Sequence, residues 1–312
     1  MMRILVGVIT LGRPRMLARL LESLWAQRLD DPGIQVSVLV VDNDPGRSAE
    51  AVVDEAARAA PFPVRYEVEP RRGIPFARNH VLERALALDV GHVVFIDDDE
   101  TAPPHWLAEL VHAFEQHGAD AVQGPVRYVP APGGPEWMAA ELAHRSERML
   151  RRPEGSVKSK LSTRNVLFSI RLARELGLRF DPRYALSGGS DIDFFHRAHT
   201  LGARTLWTNR AVVDETIPVE RQALGFQVRR AYRAAAGTTY SRRIHRGWGP
   251  TALRILPKGL TRLVDGVLRL VLFGAFSPRM RLYALRRIAG GVGHFTGLFG
   301  ILGSQYGTIQ GH

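Results

Sequence analysis

The sequence predicts an α/β fold, a mostly parallel sheet flanked by helices, with a basic, amphipathic helical tail after it. Three observations predict it. Apolar runs at residues 3–10, 36–41 and 92–96 alternate with helix-period segments, the pattern of strands buried on both faces. The 312 residues are 45% apolar and 23% charged, a globular mixture that excludes a disordered or fibrous chain. Charge is divided unevenly: residues 1–220 carry 27 basic and 30 acidic side chains, a net of −3, whereas the last 92 carry fifteen Lys or Arg against Asp265 alone, a net of +14.

The elements follow in order. Residues 3–10 (RILVGVIT) read as a buried strand, and Pro14 after Gly12-Arg13 suits the first turn of a helix. Leu17, Leu20, Leu21 and Leu24 mark the apolar face of that helix. Residues 36–41 form a second strand that ends in the turn signal Asp42-Asn43-Asp44-Pro45-Gly46. A helix over 48–59, a strand over 64–68, a helix over 75–88 and a strand over 92–96 complete the first half. A helix after Pro103-Pro104 carries Trp106, Leu107, Leu110, Val111 and Phe114 toward the core. Strands are expected over 120–129 and 161–169, with a helix over 135–150 between them. Leu186-Ser187-Gly188-Gly189 reads as a turn before a helix over 190–201 stopped by Gly202, and 204–213 as the last strand.

In such sheets ligands bind outside the carboxyl ends of the strands, where Thr10, Asp42 and Asp97-Asp98-Asp99 all fall. Three adjacent carboxylates repel one another unless a cation or donors offset them, and hard oxygens suit Mg²⁺ or Mn²⁺. A solvated loop with Asp99 or Thr101 as a helix cap is the alternative reading. Asp191 follows a glycine turn into the first turn of a helix, whose dipole favours an ionised carboxylate able to take a proton from a hydroxyl. Plain capping by Ser190 and Asp191 is the alternative. Arg71-Arg72-Gly73 and Arg78-Asn79 offer guanidinium forks for phosphate, or a solvated helix face. His196 and His199 share one helix face, but no His cluster has zinc spacing. The absence of cysteine excludes disulfides, thiolate metal sites and a Cys nucleophile. No G-x-G-x-x-G follows the first strand and no G-x-x-x-x-G-K-[ST] occurs, which argues against dinucleotide and P-loop readings.

The tail interleaves arginines with the apolar segments 263–276 and 288–303. Neither reaches the ~18–20 uncharged apolar residues needed to cross a bilayer. Basic, apolar, helix-prone segments fit a membrane interface with anionic lipids. A helical subdomain packed on the sheet, or a homo-oligomer contact, is the alternative, and Gly293-x-x-x-Gly297 is a helix-packing signal. The N-terminal run lacks the length and flanks of a secretory signal, so a cytoplasmic protein, peripheral on the inner face of the membrane, is expected. A nucleic-acid partner is not expected, because the basic residues alternate with aliphatics rather than stacking aromatics.

The segments VGVITLGRP (6–14), ESLWAQ (22–27), VLVVDND (38–44), RRGIPFARNHVLERA (71–85), VVFIDDDE (93–100), STRNVLFS (162–169) and SGGSDIDFFHR (187–197) stand in one order. In that order the chain resembles the inverting family 2 glycosyltransferases with a GT-A fold. Residues 214–237 and RIAGGVGHFTGLFG (287–300) are similar to a bacterial subgroup that builds exopolysaccharide and cell-surface glycans. The resemblance implies transfer of a sugar from a nucleotide-sugar donor, UDP on family frequency, to a saccharide or lipid-linked saccharide. It implies that Thr10 and Asp42 contact the nucleobase with Arg13 nearby, and that Arg71 and Arg78 approach the diphosphate. Asp97 and Asp98 would hold the ribose, Asp99 the Mg²⁺ or Mn²⁺, and Asp191 would be the general base. Ser190, Asp193, Arg197 and Glu215 fall on the acceptor side. Ser190 stands where the family often has Glu, and Glu215, Pro218 and Arg221 fit a subgroup pattern. Residues 1–218 would form the catalytic domain, with a nucleotide-sugar half to about residue 100 and an acceptor half after it, and 219–312 the tail. A sugar nucleotidyltransferase, a nucleic-acid binder and a sugar-binding pseudoenzyme are the competing readings.

Overall fold

A computed structural model describes residues 1–185 and 188–302; Leu186 and Ser187 of the expected glycine turn, and Gly303 of the second apolar tail segment, lie outside the described residues. The first half runs β1 (Met2–Thr10), α1 (Pro14–Trp25), β2 (Ile34–Asp42), α2 (Glu50–Ala57), β3 (Val64–Val68), α3 (Ile74–Ala87), β4 (His92–Asp97) and β5 (Glu100–Thr101). It continues through α4 (Trp106–Gln116), β6 (Ala121–Gln123), β7 (Val126–Pro130), α5 (Glu136–Leu150), β8 (Val166–Ser169), α6 (Arg171–Arg174), a 3₁₀ turn at Pro182–Tyr184 and α7 (Ser190–Thr200). Then come β9 (Thr205–Trp207), β10 (Val213–Ile217), α8 (Val219–Gln222), α9 (Leu224–Arg246), α10 (Trp248–Phe273) and α11 (Pro278–Leu298).

Seven strands form one sheet in the order β3-β2-β1-β4-β8-β6-β9, parallel except for β8. Period-two alternation divides its core. Ile4, Val6 and Val8 of β1 join Val38, Val40, Val94 and Ile96 against α1 and α4. Leu5, Leu39, Val41, Val93 and Phe95 face the other way, onto Ala77, Val81 and Leu82 of α3 and Phe194 and Phe195 of α7. The predicted face Leu17, Leu20, Leu21 and Leu24 is fully buried. The register pairs Thr10 with Asp42 and Ile9 with Asp97, so the predicted strand-end residues lie side by side.

Three expected strands come out shorter or divided. Residues 120–129 form two strands in different sheets, broken at Gly124-Pro125. Pro125 has no N–H for a ladder, and a Cβ on Gly124 would stand 2.1 Å from the Ala211 carbonyl oxygen. The 161–169 strand begins only at Val166, since the preceding segment turns through Asn165 at φ 53°. The 204–213 strand ends at Trp207, and the chain re-enters a second, three-stranded sheet, β5-β10-β7, at Val213. That sheet pairs Glu215 directly with Glu100.

The last three helices pack on one another. At Gly293 and Gly297 of α11 an added Cβ would meet the carbonyl oxygens of Tyr232 and Ala236 at 2.3 and 2.4 Å, so α9 and α11 touch backbone to backbone. The helices also reach the sheet domain: Arg286 donates to Glu141 at 2.7 Å, and the hydroxyls of Tyr184 and Ser241 are hydrogen-bonded at 2.8 Å, with Tyr184 accepting. Among the described residues no helix is long and apolar enough to cross a membrane.

Candidate active site

A cavity of about 1060 Å³ opens at the carboxyl ends of β1 and β4. Thr10, Arg13, Arg78, Asp97, Asp98, Asp99, Ser190, Asp191, Asp193 and Glu215 all line it. Thus ten of the expected site residues, distant in sequence, meet in one place. Gly188 and Gly189, both at positive φ (71° and 98°), feed Ser190 and Asp191 into the first turn of α7. The Arg78 guanidinium donates to Ser190 Oγ at 3.0 Å, joining α3 to that turn.

The acidic triplet is held by cations rather than left in water. Thr10 Oγ1 and Arg13 donate to the two oxygens of Asp98, each at 2.9 Å. Arg221, from α8, donates to Asp99 Oδ2 at 2.9 Å, and Arg13 reaches the same oxygen at 3.4 Å. Arg164 donates to Glu215 at 3.0 Å. Burial, reinforced by the Asp99 charge, pushes Asp97 up to about 7, against the pull of Arg78 and Arg164. Burial pushes Asp98 up to about 6 despite Arg13. Burial also raises Glu100, which faces Asp97, and Glu215, which faces Asp99. Negative charge is therefore crowded beyond what the arginines relieve.

Asp97 and Asp99 offer hard carboxylate oxygens to the cavity, and Mg²⁺ or Mn²⁺ commonly takes one or two such ligands with substrate phosphates supplying others. Among the described residues no three His, Cys, Asp or Glu are arranged as a metal cage. Crowded charge and hard donors fit a divalent ion completed by its substrate.

Three expected residues stand apart from the lining. Asp42 is fully buried, and its carboxylate accepts from Ala49 N–H and Tyr66 OH, each at 2.9 Å, and from Asp44 N–H at 3.0 Å. The neighbouring Asn43 lines the cavity instead and clamps the loop after β3, donating to the carbonyls of Glu69 and Arg71, both at 2.8 Å. Arg71 folds back onto Glu69 at 2.8 Å, which holds that carboxyl at about 2, and Arg72 takes the lining position. Arg197 pairs with buried Asp193 at 2.8 Å. Asp193 also accepts from His245 at 2.5 Å and from Tyr184 at 3.3 Å, so three groups lock it.

Several lining residues had no local signal: Lys160 in the loop before β8, and Arg230, Arg242, Arg246 and Arg254 from the tail. Arg164 sat within STRNVLFS and could have been singled out there. Two buried atoms in the site lack a hydrogen-bond partner among the described residues, Arg78 Nε and Glu100 Oε1.

The architecture is that of the GT-A glycosyltransferases. A sequence profile described as Glycosyl transferase family 2 matches residues 5–177, and one described as Glycosyl transferase family group 2 matches 92–302. The succinoglycan biosynthesis protein ExoM of Rhizobium meliloti (strain 1021) is 34% identical over 237 residues, covering 76% of this chain and 74% of that one. The chain belongs to glycosyl transferase family 2. In fold it is similar to the mannosyltransferase PcManGT from Pyrobaculum calidifontis, solved with GDP-Man and Mn²⁺ (TM-score 0.63, 19% identity, 94% of this chain and 86% of that one). It is also similar to residues 1–349 of S. aureus TarS with UDP-GlcNAc (TM-score 0.55, 16% identity, 94% and 90%). The likeness to the longer TarS chain spans 55% of that chain.

Proposed function

We propose that this family 2 glycosyltransferase moves a sugar, with inversion, from a nucleoside diphosphate donor to a hydroxyl of a saccharide or lipid-linked saccharide during assembly of a bacterial surface polysaccharide. The observation that carries the reading is that Asp191 and the strand-end carboxylates Asp97–Asp99 line one cavity. Residues 1–218 do the catalysis in this account, and the tail serves the acceptor. The nucleotide-sugar ligands of PcManGT and TarS, and the succinoglycan role in the ExoM name, support the donor and product classes. UDP is the proposed nucleotide.

The chain's own residues divide the work. Arg78, with its orphaned Nε, and Arg72 bind the diphosphate. Thr10 and Arg13 fix Asp98 toward the nucleoside. Asp97 lies with Asp98 on the ribose side, and Asp99 would hold Mg²⁺ or Mn²⁺, which would supply Lewis-acid relief of charge on the leaving diphosphate. Asp191 takes the proton of the acceptor hydroxyl as its oxygen attacks the anomeric carbon from the face opposite the leaving group. Ser190 and Glu215 border the acceptor. A transition state with oxocarbenium character is expected, as in glycoside hydrolysis.

Exposed apolar residues on α10, Leu253 at 81% and Val271 at 75% among them, support peripheral attachment to the inner face of the membrane. A thermal-shift panel of nucleotide sugars with and without Mn²⁺ tests the reading. A UDP-sugar should raise the melting point, more so with Mn²⁺; no shift from any nucleotide sugar would reject it.

A further inference from the structure

Gln123 ends β6 with its side chain buried, and the whole hydrogen-bonding capacity of its carboxamide is spent on one loop. Its Oε1 accepts from Lys158 Nζ at 2.6 Å and from the Ser162 N–H at 3.2 Å. Its Nε2 donates to the Arg164 carbonyl at 3.1 Å and to Ser162 Oγ. A backbone N–H only donates and a carbonyl only accepts, so these partners fix the orientation of the amide. Ser162 Oγ, facing Nε2, must then accept. Its own proton points elsewhere, and among the described residues no acceptor takes it.

The loop alternates in direction. Leu161 and Thr163 are buried, whereas Lys160, Ser162 and Arg164 line the cavity. The neighbours of Ser162 place it within that cavity. Arg164 donates to Glu215 at 3.0 Å and feels the charges of Glu100 and Asp97, on the strand-end side. Lys160 acts on His196 of α7. Lys158, whose Nζ stands 4.2 Å from the centre of the Trp207 ring, feels Asp191. Burial, then Arg152 and Arg164, holds that lysine down to about 7, but amine and ammonium both donate, so the clamp on Gln123 survives either state. Ser162 therefore lies between the strand-end carboxylates and the helix that presents the proposed base. In the reaction proposed above, the sugar in transit occupies that interval.

We propose that Ser162 reads the sugar being transferred, its hydroxyl proton aimed at a sugar oxygen by the Gln123 carboxamide. The inference rests on the transferase reading and deepens it, by naming a residue that recognises the sugar rather than the nucleotide or the ion. Gln123 is a positioning residue, since it acts only through Ser162. The group it selects is an oxygen able to accept: a hydroxyl, ring or carbonyl oxygen. The buried amide cannot turn to reverse this polarity without breaking its bonds to Ser162 N–H and the Arg164 carbonyl.

Equilibrium binding of UDP, UDP-glucose, UDP-galactose and UDP-N-acetylglucosamine to the full chain, each with Mn²⁺, tests this. Wild type is compared with S162A, S162T, Q123E and S162A/Q123E. The readout is affinity relative to UDP for the nucleotide sugar that wild type binds most tightly. S162A should lower that ratio by about three- to tenfold, the worth of one neutral hydrogen bond, with UDP affinity itself within about twofold. S162T keeps a hydroxyl and should return the ratio to within about twofold of wild type. Q123E puts an acceptor where the amide donor stood, so the Ser162 proton turns to the new carboxylate and the ratio should fall as in S162A. The double variant should lose no more than S162A alone, whereas a merely structural Gln123 would add a separate loss. An unchanged ratio in S162A overturns the assignment of Ser162, as does an equal loss for UDP and the nucleotide sugar. Additive losses overturn the role of Gln123. In each of these cases nucleotide-sugar binding by wild type leaves the donor reading standing. Failure of every nucleotide sugar to bind wild type rejects the transferase reading and this inference with it.

Discussion

Asp193 of α7 accepts a hydrogen bond from His245 of α9 at 2.5 Å, two residues from Asp191 in one helix and near the end of the other. The helix that presents the proposed base is thereby tied to the tail. Burying Asp193 would be costly alone, and Arg197, Tyr184 and His245 offset that cost together.

His245→Ala should therefore lower stability by about 1 kcal/mol, a modest figure because His245 is partly solvated. It should also reduce kcat more than donor affinity, since α7 loses one anchor while the strand-end residues are untouched. Differential scanning fluorimetry and initial rates, measured side by side, check both. A normal rate in the variant would show that the tail does not position Asp191.

Asp191→Asn keeps the size of the side chain and removes its basicity. Transfer should fall by about 10²–10⁴-fold, with UDP binding retained. Rates near wild type would reject Asp191 as the base.

Asp99 and Arg221 form the contact most exposed to metal binding, at 2.9 Å. Asp99→Asn should weaken Mn²⁺-dependent UDP binding by about tenfold, measured by titration with and without the ion. Arg221→Gln should act in the opposite sense on the metal. It leaves Asp99 Oδ2 with only the longer Arg13 contact at 3.4 Å, so Mn²⁺ should raise the melting point more than in wild type, although the apo protein melts lower.

His294, buried in the tail, is held down to about 4 by burial and by Arg262, Lys258 and Arg242. Arg262 can only donate, so its contact with Nε2 at 3.2 Å requires the neutral ring, which leaves Nδ1–H to donate to Thr239 at 2.8 Å. The folded pKa lies below the ordinary 6.5, so the unfolded chain binds the proton first on acidification. Stability from this site is complete above about pH 6.5 and drains away as pH falls toward about 4. The loss is on the order of 2–3 kcal/mol. Melting curves from pH 7 to 4 should fall less steeply for His294→Gln; parallel curves would reject the assignment.

Much of this was legible in the chain. Ile4, Val6, Val8 and the leucines of α1 announced their element and their buried face, because periodicity is a local property of strand and helix. The same locality located the acidic triplet at the end of β4 and Asp191 at the start of α7, and the order of motifs led to the family. Where a residue's role depends on what arrives from elsewhere, local pattern was silent. Asp42 ended a strand as expected, yet Ala49 and Tyr66 fold over it and Asn43 takes its place at the cavity.

What the sequence by itself determined is the alternation of strand and helix, the strand-end chemistry and the uneven charge, since these follow from neighbours a few residues apart. Tertiary structure alone decided that Gly124-Pro125 would split one strand between two sheets. It alone brought Lys160 and the arginines at 164, 221 and 242 from a loop and the tail to a cavity floored by Asp97–Asp99. The physical reason is range: backbone preference and amphipathic period act within a turn or a strand, whereas charge pairing and closure of a cavity are settled only when distant segments pack.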